Sequence, residues 1–135
     1  MADGSQILSK QDEAVVNAAH SRDQGRDAVI ATDLSGRVLY WNDAAVRLYG
    51  WEAADVVGHN ILDVTPTRGS GEAAAQIMED LRHTGEWTGQ FIVKHRDGTP
   101  MMAHVHNVVV RDGDLAIGVI GVSRPTGRAA EPRAD

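Results

Sequence analysis

One run, residues 27–50, constrains the fold more than any other part of the chain: DAVIATDLSGRVLYWNDAAVRLYG. Its first seven residues are β-branched in the middle and end on the turn-former Asp33, as befits a strand with a buried face. Residues 33–36 supply a reversal, because Gly36 takes a positive φ at little cost and the Asp33 side chain can bond its own downstream backbone. Residues 37–41 return as a second strand. At Asn42 the period lengthens: Asn42 or Asp43 caps a helix, and Ala44, Ala45, Leu48 and Tyr49 fall near helical spacing until Gly50 ends it. A hairpin that feeds straight into a short helix is an uncommon order, and it narrows the choice of sheet.

The remaining elements fit around that run. Upstream, residues 10–24 carry Ala14, Val15, Ala18 and Ala19 at helical spacing, with Ser9 as cap and Asp12 and Glu13 near the positive helix end. The apolar face is narrow, so this helix is expected on the outside of the domain or against a partner, with Val15, Ala18 and Ala19 as interface residues. Downstream come two short helical turns, residues 51–58 and 59–66, and a loop over 67–71. A long helix follows over 72–83, with Ala74, Ile77, Met78 and Leu81 on one face. Three strands over 86–96, 101–110 and 115–122, turned at Asp97-Gly98 and Asp112-Gly113, complete the sheet. The expected fold is α+β: a five-stranded antiparallel sheet with helices over one face, plus an N-terminal flanking helix. Residues 1–24 read as leader and amphipathic helix, 25–124 as the domain, and 125–135, which lack any apolar period, as a disordered tail.

A chain of 135 residues suffices for one domain with its own core. Its net charge of −6 argues against direct nucleic-acid binding, which needs a basic surface. The absence of cysteine excludes disulfides, thiolate metal sites and cysteine nucleophiles. No stretch reaches the roughly 20 apolar residues of a membrane helix, and no basic start leads into an apolar run. A cytoplasmic protein, or a cytoplasmic fragment of a larger one, is expected, without membrane contact. Ser35, Ser70 and Ser123 sit in no nucleophile elbow, and Gly69-Ser70-Gly71 lacks the lysine and strand of a phosphate loop, so no enzyme is expected.

Three polar residues stand out on the strands. His104 and His106 are two apart and share a face, where two imidazoles could take a divalent metal with His95 from the neighbouring strand. No carboxylate shares that strand, so the structural reading is favoured: an outer-face contact surface, sensitive to pH, with no metal. Asn107 follows Ala103 and Val105 on the inferred inner face, and a buried amide needs either a backbone or water partner or a ligand. Trp41 and Trp51 read as core or pocket wall, since no basic stripe accompanies them.

With this element order, three words in the sequence resemble the PAS family: residues 27–51, ADVVGHNILDV over 54–64, and HTGEWTGQFIVKHRDGTPMMAHVHNVVV over 83–110. The chain is therefore similar to a PAS domain over about residues 27–123. The aspartate-containing exit motif usual in that family is replaced by Gly121-Val122-Ser123-Arg124-Pro125. The resemblance implies a pocket between sheet and helices that holds flavin, haem, a small organic ligand or nothing. In the light-oxygen-voltage branch the corresponding motif is Gly-Arg-Asn-Cys; here it is Gly58-His59-Asn60-Ile61, so the cysteine adduct is absent. The polar residues which that branch directs at its flavin would fall near Ala103 and Ile120. Glu86-Trp87-Thr88-Gly89 resembles a word of redox-sensing members that bind FAD, although many flavin-free members carry it, with the tryptophan under the long helix. Haem-binding members use a histidine inside the long helix, whereas His83 sits at its end. A pocket without cofactor is expected, with FAD the alternative and haem disfavoured.

The resulting expectation is a noncatalytic sensory module in signal transduction, with a pocket for a small apolar ligand. Its lining is expected from Val29, Ala31, Leu48, Ile61, Ile77, Met78, Leu81, Phe91, Val93, Ala103, Val105, Asn107 and Ile120. Signals would leave through a homodimer or effector contact at Val15, Ala18, Ala19, His104 and His106, the effector being a kinase, phosphatase or transcription regulator. The alternative is a ligand-free dimerisation module with a filled core.

Overall fold

The computed structural model describes residues 9–64 and 70–128, without the side chains of residues 70–75, 91, 127 and 128. The elements in chain order are α1 (Lys10–Arg22), β1 (Ala28–Thr32), β2 (Val38–Trp41), α2 (Asp43–Tyr49), α3 (Ala53–Val56), α4 (Ile61–Val64), α5 (Ser70–Thr84), β3 (Glu86–Lys94), β4 (Pro100–Asp112) and β5 (Leu115–Arg128). The five strands form one antiparallel sheet in the order β2-β1-β5-β4-β3, as expected. The first hairpin thus occupies one side of the sheet, β3 forms the far edge, and the helices α2 to α5 cross between them.

Local signals explain the boundaries. Ser9 caps α1 by accepting from the Asp12 amide, and Asn42 caps α2 by accepting from Ala45, which satisfies helix-start donors that lack an intrahelical acceptor. Gly50 closes α2 at φ 81°, and no Cβ would fit there, because it would lie 2.5 Å or less from the His95 ring. That imidazole sits at the β3–β4 turn, whose Arg96 amide donates to the Tyr49 carbonyl at 2.7 Å. Strand ends shift by two residues or fewer except at β5. Residues 125–128, expected in the tail, continue β5, with Met101 opposite Arg128. Residues 1–8 of the leader, 65 and 66 of the expected second turn, 67–69 of the expected loop, and 129–135 of the expected tail lie outside the described residues.

The sheet separates two apolar clusters. On the inner face, Ala28, Ile30, Trp41, Leu48, Tyr49, Val56, Val93, Ala103 and Val105 pack together under the helices. On the outer face, Val15 and Ala19 of α1 bury completely against Val29, Ala31, Leu39, Ile117 and Ile120. Gly118 makes the seat for α1: a Cβ there would come within 2.7 Å of a Val15 methyl and 2.6 Å of the Thr32 carbonyl oxygen. The narrow apolar face of α1 is therefore covered by the chain's own sheet. Val15 and Ala19 are internal packing residues, so the expected intermolecular contact at these two is corrected, while Ala18 is partly buried against the same cluster.

Polar contacts fasten both ends of α1. Near its start, Asp12 meets the Arg37 guanidinium at 2.7 Å, and Arg37 also holds Asp33 at 3.1 Å. At its end, Asp23 accepts from Tyr40 Oη at 2.6 Å and from Asn42 Nδ2 at 2.9 Å. Among the described residues no helix is long and apolar enough to cross a membrane.

Candidate functional site

A cavity of about 290 Å³ lies between the inner sheet face and the helices. Its floor is sheet: Ile30 and Thr32 of β1, Val105 and Asn107 of β4, and Val119, Gly121 and Ser123 of β5. Ile77, Met78 and Leu81 of α5 form the roof, with Trp87 and Val93 of β3 at one side. Ile61 and Leu62 of α4 and the β1–β2 turn close the other. The volume lies at the small end of the usual range for ligand clefts, roughly 300–1,000 Å³.

The wall near α4 is built by backbone pairing. Asn60 Nδ2 donates to the Ser35 carbonyl at 3.1 Å, its Oδ1 accepts from the Leu62 amide at 2.9 Å, and the Ile61 amide donates to Gly36 at 2.8 Å. The amide of Asn60 is thus consumed in joining the turn to α4. Asp33, in the same turn, accepts from the Ser35 and Arg37 amides and from both of those side chains. Burial works to raise its carboxyl, but these bonds outweigh burial and hold it below the ordinary carboxylate value. Leu34 and Leu62 stand about half exposed at the rim, an apolar mouth.

Deeper in, Tyr49 and Ser123 are both buried, and their hydroxyls interact. Burial pushes the Tyr49 phenol above its ordinary value, opposed by the bond to Ser123, so the group is neutral and hydrogen-bonded. Asn107 differs. Among the described residues its side chain makes no hydrogen bond, and Gly121 directly opposite on β5 gives it room: a Cβ at Gly121 would lie 2.5 Å from Asn107 Oδ1. The amide faces an apolar cavity with its donors and acceptor unused. Thr32 is the other wall residue whose side chain is unbonded among the described residues.

Of the expected lining, Ile61, Ile77, Met78, Leu81, Val93, Val105 and Asn107 meet at this cavity. Leu48 and Ala103 belong instead to the packed inner core beside it. The side chain of Phe91 lies outside the described residues. Val29, Ala31 and Ile120 are corrected: they face α1 on the opposite side of the sheet. Gly121, not Ile120, borders the cavity on β5, so the apolar character of Ile120 says nothing about a bound ring. Sequence reasoning missed Ile30, Thr32, Tyr49, Val119 and Ser123. Trp87 is at the cavity wall, its ring over Gly89, while Trp41 is core and donates to the Trp51 carbonyl at 2.9 Å.

The histidine pair falls on the outer face as expected. His104 and His106 stand opposite Arg124 and Val122 of β5, and His106 Nε2 lies 3.4 Å from Glu86. They line an open groove of about 890 Å³ between the sheet and the exit of α1. No group of three potential metal ligands occurs among the described residues. His83 is exposed and pairs with Glu79 of its own helix at 2.9 Å.

A family model described as the PAS fold matches residues 12–126, a span that takes in all but the first two residues of α1. No curated protein matches the chain. Among solved structures, a PAS domain from Colwellia psychrerythraea is 22% identical, with a TM-score of 0.74, covering 82% of this chain and 95% of that one. A PAS domain from a two-component sensor histidine kinase is 15% identical, TM-score 0.64, covering 82% and 94%. A light-oxygen-voltage protein of Rhodobacter sphaeroides is 18% identical, TM-score 0.70, covering 91% and 70%. At these identities the likeness establishes the shared fold.

Proposed function

Because the chain belongs to the PAS family, a family of sensory and signalling modules, we propose that it is a noncatalytic sensor whose inner cavity takes a small, mostly apolar ligand. The observation that carries this reading is Asn107. A half-buried amide in a mostly apolar wall, without a protein partner among the described residues, is left to water or to a ligand, and Gly121 keeps the space in front of it clear. The ligand would be apolar over most of its surface, with one polar edge directed at β4. Ile61 stands where the light-oxygen-voltage motif has its cysteine, so the reading does not involve that branch's cysteine adduct. No cofactor is assigned; FAD is the alternative for a coloured preparation.

The signal would leave through a homodimer or an effector such as a kinase, phosphatase or transcription regulator in the cytoplasm. Cavity and α1 share β1 and β5: Ile30 and Thr32 face the ligand, and Val29 and Ala31 face the helix. A ligand that binds one sheet shape better than another shifts the population of α1 seatings.

Native mass spectrometry of purified protein, with an absorption spectrum and an extract after denaturation, tests the reading. A bound molecule is expected, and Asn107→Ala should weaken its retention by up to about tenfold, the worth of one hydrogen bond to the ligand. An empty protein with a clear spectrum and a concentration-dependent dimer would instead favour the ligand-free interaction module.

A further inference from the structure

The outer groove gathers positive charge on a chain whose net charge is −6. Arg22 comes from the last turn of α1, Arg26 from the link into β1, and Arg124 from β5. Elsewhere, Arg37 and Arg82 are held by carboxylates at 2.7 Å. The three groove arginines have no ion pair among the described residues. Two carboxylates, Asp27 and Glu86, share the groove, so its formal balance with neutral imidazoles is three minus two, or +1. The floor is polar, unlike the mostly apolar clefts that hold small molecules. An extended polar segment suits it better than a compact organic ligand.

We propose that this groove docks an acidic peptide segment of a partner protein, its carboxylates pairing with Arg22, Arg26 and Arg124. A long polyanion such as a nucleic acid would extend beyond the groove into the field of the acidic surface. A short acidic segment stays within the roughly 8 Å over which the local arginines dominate at physiological salt. Two of the arginines come from α1 and its exit and the third from the sheet, so the site is complete only while α1 is seated. Binding of the partner therefore reports the position of α1, whatever sets that position.

The test is fluorescence anisotropy of a labelled oligoglutamate peptide at low salt, with an oligoglutamine peptide of the same length as control. The glutamate peptide should bind and the glutamine peptide should not. Arg26→Glu and Arg124→Glu should each weaken binding by about tenfold, more than a single exposed pair, because reversal adds repulsion. Arg47→Glu changes the net charge equally but lies on α2, away from the groove, and should leave binding within about twofold. Circular dichroism confirms that each variant folds. Equal loss in Arg47→Glu, equal binding of the glutamine peptide, or no binding of either overturns the proposal. Tighter binding of an oligothymidylate through the same arginines overturns the choice of an acidic peptide.

Discussion

Asn42 shows how much one side chain can carry in this fold. Its Oδ1 accepts from the Ala45 amide at the start of α2 and from the Val29 amide of β1, while its Nδ2 donates to the Asp27 carbonyl and to Asp23. The cap was legible in the sequence from the change of period at Asn42, but the link to Asp23 was not, because it joins residues nineteen apart with no local signature. That link has a pH consequence. Burial works to raise the Asp23 carboxyl, but bonds from Tyr40, Asn42 and the Gly25 amide hold it below its ordinary value of 3.8. Tyr40 is pushed up to about 12, by burial first and then by its bond to Asp23. The raised phenol contributes stability that is whole below its ordinary value of 10.0 and is lost as pH rises through about 12. The lowered carboxyl contributes above 3.8, and that contribution is lost as pH falls through its folded value. Tyr40→Phe should therefore flatten the alkaline limb of a denaturant-midpoint profile and make the acid limb shallower. An unchanged alkaline limb would show that the phenol does not matter there.

Among the elements, β4 was legible where β1 was not. On β4, His104 and His106 alternate with Ala103 and Val105, so polarity itself phases the strand, and Asn107 fell on the face inferred for it. β1 is buried on both sides, its first four residues being Ala28, Val29, Ile30 and Ala31, and a uniformly apolar run does not reveal which parity faces which layer. Assigning Val29 and Ala31 to the cavity was the result, and Ile120 failed for the same reason on β5. The weak amphipathicity of α1 likewise concealed that two small contacts, Val15 and Ala19, suffice when Gly118 lets the helix come close. Gly118→Ala should cost about 1–3 kcal/mol, the usual range for overpacking a tight contact. The loss should concentrate in α1, seen as faster amide exchange over Lys10–Arg22 while β3 and β4 stay protected. Uniform loosening of the whole domain would contradict a local seat.

For the whole molecule, the sheet is a common wall between two compartments, and linkage follows. If a ligand in the cavity favours the seated α1, a change that unseats α1 weakens the ligand by the same factor. Gly118→Ala protein should therefore retain less ligand than the parent in native mass spectrometry, by about 5- to 150-fold if the coupling is of ordinary size. Unaltered retention with a demonstrably mobile α1 would mean that the compartments are uncoupled. Along β5, Gly118 opens toward Val15 on one side of that wall and Gly121 toward Asn107 on the other. In a genetic screen these neighbouring codons should behave as separate loci. Alleles at Gly121 should produce modules that no longer perceive their stimulus, and alleles at Gly118 should produce modules that perceive it and fail to pass it on.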